Sequence, residues 1–427
     1  MEGKRISGVD SSSSVNKEAP VYGNEMHERS FFLYLLKKGL WGKDYEDKDY
    51  AVPDDFHNAG NAHNWDYIMK CAKKQTVSGL VSEGINSLPV GMQPDMVVKK
   101  KMQFSVVKNM QVHEVMNKAI VTLKKLLRRE GIDCVLLKGQ GVARFYRTPN
   151  LRQCGDIDIY VGADNYKRAC AVMDDFSGKL LCNSDVYACE GGNKNVKEPG
   201  KDRNKDSESR HTDKHYHIVV NGLPVEIHKY TMKLQWFVYN RRFRAFEKEY
   251  LDNGEKMEIE LGEDKVSIPP VFFNAVFIFL HAWGHIIEGG LGLRQICDWT
   301  MLMHRYGKMI DEQLLKDKLK SMGVLKGWIM FGYIAVNYLG LSIDECPLYS
   351  GKYKKEASLL MDLIWEDGNF GFFSDDFTRK RPEVVLVRKM DTLLRILKRS
   401  RKIYSIDKFS SLLVIRHGVG YGISNIF

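Results

Sequence analysis

The stretch Gly155-Asp156-Ile157-Asp158-Ile159 decides the fold that the sequence predicts. Its polar and apolar residues alternate with a period of two, which is typical of a β-strand with one buried face. Side chains two positions apart on a strand point the same way, with their backbones roughly 6.5 to 7 Å apart. The stretch therefore predicts a strand that presents Asp156 and Asp158 from a single face.

The segment before this strand predicts a second strand, a glycine turn and a helix. The apolar run 134–137 ends in the turn Lys-Gly-Gln-Gly at 138–141, and residues 142–146 resume with helical spacing. Gly139 and Gly141 would let the backbone approach a phosphate, and the first amides of the helix would face the anion. We therefore predict a phosphate-binding turn here.

Two cations accompany this turn. Lys138 would act on a phosphate as a point charge, whereas Arg152 would use its two-pronged guanidinium. A solvated surface position is the equal alternative for each of them. Together with Gly139 and Gly141, they form the predicted phosphate-binding set.

Two further strands, 216–220 and 224–228, are predicted around an Asn221-Gly222 hairpin turn. Glu226 alternates with apolar neighbours on the second strand and is the best third carboxylate for the pair at Asp156 and Asp158. Two divalent cations that are bridged by carboxylates stabilise the attacking and leaving oxygens of in-line phosphoryl or nucleotidyl transfer. Such oxygen ligands suit Mg²⁺ or Mn²⁺. The alternative is that the aspartates only mark the solvent face of an edge strand.

Histidines stand beside the predicted glutamate. His215 and His217 lie at the start of the hairpin, and His228 follows Glu226 by two positions. Each could orient a carboxylate, bind phosphate or act as a base, and a hydrogen-bonded structural role is the alternative. We take His217 and His228 as secondary site residues.

Four polar residues further along are spaced by one helical turn. His281 and His285 could bind zinc as a pair, but the glutamate of the His-Glu-x-x-His motif is missing. Arg294 and Asp298 predict a structural ion pair, with Arg294 facing a cleft as the alternative. We keep Arg294 as a third secondary site residue.

Bulk composition sets the class of protein. The chain has 427 residues, a formal net charge of +10 and eight cysteines that lack zinc-site spacing. The charge favours an anionic partner or solubility alone. The polar N-terminus has no secretory signal, and the longest apolar runs are shorter than the roughly 20 residues of a membrane span. We expect a cytoplasmic protein with reduced thiols.

Helical spacing on both sides of the strands predicts an α+β fold, in which a small mixed β-sheet core is flanked by N-terminal and C-terminal helical regions. Helices are predicted from 26–40, 65–80 and 102–129, again from 269–341, and in a basic amphipathic segment at 379–402 that packs on the core or binds RNA or acidic lipid. The predicted units are a disordered segment 1–25, a helical region 26–130, a core 131–265 with a mobile insertion 190–213, and a helical region 266–427.

These motifs resemble the uncharacterised nucleotidyltransferase family of the DNA polymerase beta-like superfamily. The resemblance rests on Leu137-Lys138-Gly139, Arg152, Asp156-Ile157-Asp158 and Val225-Glu226-Ile227-His228. It extends over roughly residues 60–375 through Trp65-Asp66, Leu280-His281-Ala282, Leu293-Arg294-Gln295-Ile296, Asp298 and Gly368-Asn369-Phe370-Gly371.

The resemblance implies that Asp156, Asp158 and Glu226 hold Mg²⁺ or Mn²⁺ and that Lys138 and Arg152 steady the triphosphate of an NTP. The implied activity is transfer of a nucleoside monophosphate to an acceptor with release of pyrophosphate. A small molecule, a sugar phosphate, a protein or RNA are the possible acceptors.

One departure separates this chain from most of the superfamily, which has Gly-Ser after the first strand. Here the turn at 138–141 has no serine, so the usual hydroxyl contact to phosphate is absent. Two alternatives therefore stay open, a non-catalytic nucleotide-binding or regulatory module on the same fold and a metal-dependent phosphohydrolase.

Overall fold

The computed structural model describes residues 21–42, 63–182, 215–369 and 384–424. These residues form a small mixed β-sheet, a separate two-stranded sheet and surrounding helices, which confirms the predicted α+β fold. The first helix begins at Val21, so the predicted disordered segment 1–25 ends too late. Residues 1–20 and the predicted insertion 190–213 lie outside the described residues.

Four helices precede the sheet: α1 (Val21–Trp41), α2 (Trp65–Lys74), α3 (Ser78–Asn86) and α4 (Met96–Arg129). The single helix predicted at 65–80 is wrong, because the chain turns at Thr76, whose φ is +54°. The Gln75 side chain holds this turn by bonding Ile364 O and Leu293 N, contacts that no local pattern reveals. The helix α4 begins six residues before the predicted start, where Asp95 caps it.

The mixed sheet has four strands: β1 (Val135–Leu137), β2 (Ile157–Tyr160), β3 (His215–Val220) and β4 (Leu223–His228). Their order is β1-β2-β4-β3, with β2 parallel to β4 and the two outer pairs antiparallel. Asn221 and Gly222 have φ of 51° and 75°, so the predicted hairpin turn is confirmed.

The two faces of this sheet differ in polarity. The buried side chains Ile157, Ile159, Val225 and Ile227 alternate with the polar residues of β2 and β4. The helix α6 (Gly162–Cys182) contacts β3 and β4, while the short helix α5 (Gly139–Ala143) follows β1. The period-two alternation therefore leaves the acidic side chains together on one face.

A second hairpin lies beside β1 and was not predicted. The helix α7 (Phe237–Glu247) leads into β5 (Met257–Leu261) and β6 (Asp264–Ile268), which pair antiparallel. The proposed core boundary at 265 falls inside β6.

Seven helices complete the described part of the chain: α8 (Val271–Glu288), α9 (Leu293–Tyr306), α10 (Glu312–Ser321), α11 (Leu325–Leu339), α12 (Lys354–Asp367), α13 (Val385–Tyr404) and α14 (Lys408–Ser424). Their core is aromatic, with Trp299 and Trp328 fully buried and their rings 4.9 Å apart. Among the described helices, none is long and apolar enough to cross a membrane.

Candidate active site

A row of polar side chains crosses three strands of the mixed sheet. Asp158 on β2 is the direct partner of Glu226 on β4, and His217 on β3 is the partner of Glu226 on its other side. Asp156 immediately precedes β2, two positions before Asp158. One carboxylate oxygen each of Asp156, Asp158 and Glu226 lies within 4.8 Å of the others. The structure thus brings together the three acidic residues singled out in the sequence.

Asp158 is the most deeply buried of the three carboxylates and is held by two cationic partners. Its Oδ1 lies 3.0 Å from Lys138 Nζ and 2.9 Å from His228 Nε2. Burial alone would raise the pKa of Asp158, but Lys138 and His228 more than offset it and hold that pKa well below its usual range. Asp158 therefore carries a negative charge in the folded protein.

Asp156 has the opposite electrostatic situation. The negative charge of Asp158, followed by burial, raises the pKa of Asp156 above its ordinary value. Like charges this close repel, and a divalent cation between them would remove the repulsion. The donor set of three carboxylates therefore fits a hard cation such as Mg²⁺ or Mn²⁺.

Glu226 is surrounded by imidazoles. His228 Nε2 lies 3.3 Å from Glu226 Oε2, and His217 Nδ1 lies 3.3 Å from Oε1. Burial would raise the pKa of Glu226, but the hydrogen bond from His228 and the charges of His215 and His228 together outweigh it, and the pKa is lowered. His228 in turn has a raised pKa, because its bonds to Asp158 and Glu226 outweigh the effect of burial. The secondary residues His217 and His228 thus both contact the acidic cluster.

The turn after β1 has an unusual backbone. Lys138 has φ of +43° and Gly139 has φ of +40°. A Cβ on Gly139 would lie 3.3 Å from Asp156 O. Both the positive φ and this close approach therefore favour glycine at the position. A lysine with positive φ is strained, and such strain is typically kept at functional sites.

The helix that follows the glycine turn is short. The helix α5 has only five residues, too few to build the dipole that the anion-binding prediction required. A Cβ on Gly141 would lie 3.1 Å from Ile268 Cγ2 on β6. Gly141 therefore makes room for the packing of the second hairpin, and its role at a phosphate stays a prediction.

Arg152, which was predicted to steady a triphosphate, is held by other residues of the protein. Its Nε and Nη2 donate to the two oxygens of Asp298 at 2.7 and 2.8 Å, and its Nη1 donates to Gln153 O. Only 4% of Arg152 is exposed. Most of its donors are therefore used within the protein, but Arg152 also lines the cleft described below, and its contact with a phosphate stays a prediction.

The predicted ion pair between Arg294 and Asp298 is wrong, because Asp298 is occupied by Arg152 and by the hydroxyl of Tyr146. Arg294 donates from Nη1 to Gln153 O at 2.8 Å. Its buried Nε has no hydrogen-bond partner among the described residues. Burial and the nearby charge of Arg152 lower the pKa of Arg294. Arg294 is thus a cation whose charge is poorly compensated.

A cleft of about 390 Å³ opens over the acidic face of the sheet. Lys138, Asp156, Asp158, Glu226 and Arg294 line its polar end. Its other wall comes from α8, from α14 and from the chain around the start of α7, and it includes Trp236, Tyr239, Phe409 and Leu413. These wall residues were not predicted, because the sequence around an aromatic residue on a helix does not indicate which distant site its side chain faces.

The pair His281 and His285 lies at the same cleft, beside Lys138. His281 Nε2 is 3.4 Å from Lys138 Nζ and 3.1 Å from His285 Nε2. Burial, Lys138 and His285 hold the pKa of His281 well below its usual range. A neutral His281 therefore accepts a hydrogen bond from the ammonium of Lys138, whose charge opposes binding of a metal cation here.

Fold and site together define a class of protein, in which a small mixed sheet inside a helical shell presents three carboxylates able to hold divalent metal. The model of a family described as uncharacterised nucleotidyltransferase matches residues 61–340, more than half of the chain, and the chain belongs to that family. No curated protein and no solved structure matches the chain significantly. The family description indicates transferase chemistry.

Proposed function

We propose that this protein transfers a nucleoside monophosphate from an NTP to an acceptor and releases pyrophosphate, with Mg²⁺ or Mn²⁺ held by Asp156, Asp158 and Glu226. The single observation that carries the proposal is the convergence of one oxygen from each of these carboxylates within 4.8 Å, at the floor of a cleft. The family to which the chain belongs supports the same chemistry.

The bonds exchanged in this reaction are defined. An acceptor oxygen attacks the α-phosphorus of the NTP, the bond from that phosphorus to the β-phosphate oxygen breaks, and the proton of the acceptor passes to water. Divalent metal, when bound, stabilises the charge on the attacking and leaving oxygens. In this proposal the carboxylates hold the metal.

Two cations are placed to receive the triphosphate in this proposal. Lys138 lies at the polar end of the cleft, with its Nζ 3.0 Å from Asp158. It takes the place of the missing serine hydroxyl, moving from the carboxylate to a phosphate when metal neutralises Asp158. Arg294 replaces Arg152 as the guanidinium partner, because its charge lacks the paired carboxylate that Arg152 has.

The opposite wall is the proposed acceptor side of the cleft. Trp236 and Tyr239 stack edge-on with Phe409, at ring distances of 6.0 and 5.6 Å. Aromatic surfaces of this kind bind flat or apolar groups without fixing one identity. A small molecule, a sugar phosphate, a protein and RNA all stay candidate acceptors.

The full-length protein should be incubated with MgCl₂ or MnCl₂ and each α-labelled NTP, alone and with acceptor pools of these four kinds. Transfer releases pyrophosphate and leaves label on an acceptor. A phosphohydrolase would leave no label on an acceptor. It would release either labelled monophosphate with pyrophosphate or labelled diphosphate with phosphate. Metal-dependent nucleotide binding without turnover of any pool would support the non-catalytic module instead.

The double variant Asp156→Asn with Asp158→Asn tests the site itself. We expect it to lose metal-dependent nucleotide binding and any transfer. The matched control, Glu258→Gln with Glu260→Gln, changes two exposed acids on β5 and should retain both. Retention of metal-dependent binding by the aspartate variant would refute the assignment.

A further inference from the structure

Three histidines and one glutamate form a square on the open edge of the mixed sheet. His215 on β3 pairs with His228 on β4, and His217 pairs with Glu226. Direct cross-strand partners point to the same face, as do residues two positions apart on one strand. The four side chains therefore converge around Glu226, and His228 also contacts Asp158.

The donor atoms of this square are close enough to share one ion. Glu226 Oε2 lies 3.3 Å from His228 Nε2 and 3.9 Å from His215 Nε2. One ligand atom each of His215, Glu226 and His228 lies within 4.8 Å of the others. An ion with bonds of about 2.0 to 2.2 Å separates its ligands by roughly 3 to 4 Å, so small side-chain shifts complete the site.

The chemistry of these donors differs from that of the three carboxylates. Two imidazole nitrogens and one carboxylate oxygen form a set that binds zinc with a fourth position open, whereas Mg²⁺ prefers oxygen ligands. His217 stands at the exposed side, with its Nε2 2.8 Å from His215 Nε2. It is placed to approach that fourth position.

We propose that His215, Glu226 and His228 bind one zinc ion, at a site distinct from the three-carboxylate cluster but sharing Glu226 with it. Zinc takes His228 Nε2 away from its hydrogen bond with Asp158 and turns Glu226 toward the edge strand. Occupancy of the zinc site therefore weakens the neighbouring cluster. Zinc binding itself does not depend on nucleotidyl transfer.

The test measures metal binding to the full-length protein without nucleotide. Zinc affinity is determined by competition with a chromophoric chelator, and Co²⁺ is used as a spectroscopic probe of nitrogen ligation. We expect His215→Ala to weaken zinc binding by at least about tenfold and to abolish the visible Co²⁺ spectrum of that site. Asp156→Asn, which changes only the carboxylate cluster, should leave both nearly unchanged.

A distant histidine provides the matched control. His304→Ala removes a surface imidazole that bonds Glu345, so zinc affinity should not change. Circular dichroism checks folding, and His215→Gln replaces His215→Ala if the alanine variant does not fold. Equal zinc affinity of the wild-type protein and a folded His215 variant overturns the proposal, as does an Asp156→Asn effect as large as that of His215→Ala. Zinc binding by a wild-type protein that shows no transfer activity with any acceptor would count against the proposed function alone.

Discussion

Asp158 and Glu226 are direct partners across the parallel pair β2–β4, and Lys138 Nζ lies 3.0 Å from Asp158 in the same site. Parallel partners point to the same face, which places the two carboxylates side by side without any loop to position them. The sheet thus sets the spacing of the acidic cluster, and a change at the partly exposed Glu226 should affect folding less than a change at the buried Asp158.

Glu226→Gln should weaken Mg²⁺- or Mn²⁺-dependent nucleotide binding at least about tenfold, because the amide keeps the shape of the side chain but removes a charged oxygen ligand. Isothermal titration with and without metal measures this. Glu260→Gln, on the exposed face of β5, is the control. Equal losses in the two variants would mean that Glu226 is not a ligand.

Lys138→Gly should be more stable than Lys138→Ala by about 1 kcal/mol. Both variants lose the cation, but only glycine accepts the positive φ of this position without strain. Urea denaturation of the two variants checks the difference. Both should bind nucleotide more weakly than the wild-type protein, and an alanine variant as stable as the glycine variant would show that the turn is unstrained.

Asp298→Asn should destabilise the protein by about 3 to 5 kcal/mol, because it leaves the buried charge of Arg152 without its partner. Replacing both residues, Arg152→Met with Asp298→Leu, should cost less, since no charge is then left unpaired. Thermal or urea unfolding measures both free energies. A double variant that is much less stable than Asp298→Asn would contradict this account of the pair.

Unlike Asp298→Asn, the variant Arg294→Gln should have little effect on stability. It should clearly lower the affinity for nucleotide. Its guanidinium lines the cleft and lacks a carboxylate partner like that of Arg152, so a bound triphosphate gains most from it. Paired measurements of the unfolding midpoint and of NTP affinity separate the two arginines. Unchanged NTP affinity would exclude Arg294 from the phosphate site.

Alkaline pH should destabilise the protein through its buried thiols. Burial raises the pKa of Cys71 to about 11 and that of Cys346 to about 12, against about 8.5 in an unfolded chain. Above about pH 8.5 the unfolded chain loses these thiol protons while the folded chain retains them, so stability falls as pH rises toward 11. The double variant Cys71→Ser with Cys346→Ser should show a shallower fall between pH 7.5 and 10 in urea denaturation.

Much of the sheet was predictable from local pattern. The alternation at 155–159 and the Asn221-Gly222 turn depend on neighbouring residues alone. The strands β2, β3 and β4 and the turn lie within one residue or two of their predicted positions. The spacing of the cysteines also indicated free thiols, and the structure has free thiols at Cys71, Cys134, Cys154, Cys170, Cys297 and Cys346.

The roles of the arginines were not predictable in the same way. Sequence spacing paired Arg294 with Asp298 by one helical turn, but Arg152 reaches Asp298 from 146 positions away and binds it with two hydrogen bonds. The break at Thr76 and the role of Gly141 depend likewise on contacts with Ile364 and Ile268. Long-range packing decided each of these cases.

The parallel pairing of β2 with β4 also affects how the protein folds. Asp158 and His228 lie 70 positions apart and meet only after the chain has returned to the sheet in the parallel direction. Closing this loop costs conformational entropy before the contacts that offset it can form. The complete set of ligands therefore belongs to the native state and not to the unfolded chain. Divalent metal would accordingly act as a folding ligand, raising the midpoint of thermal unfolding in proportion to the logarithm of its concentration once the site is saturated.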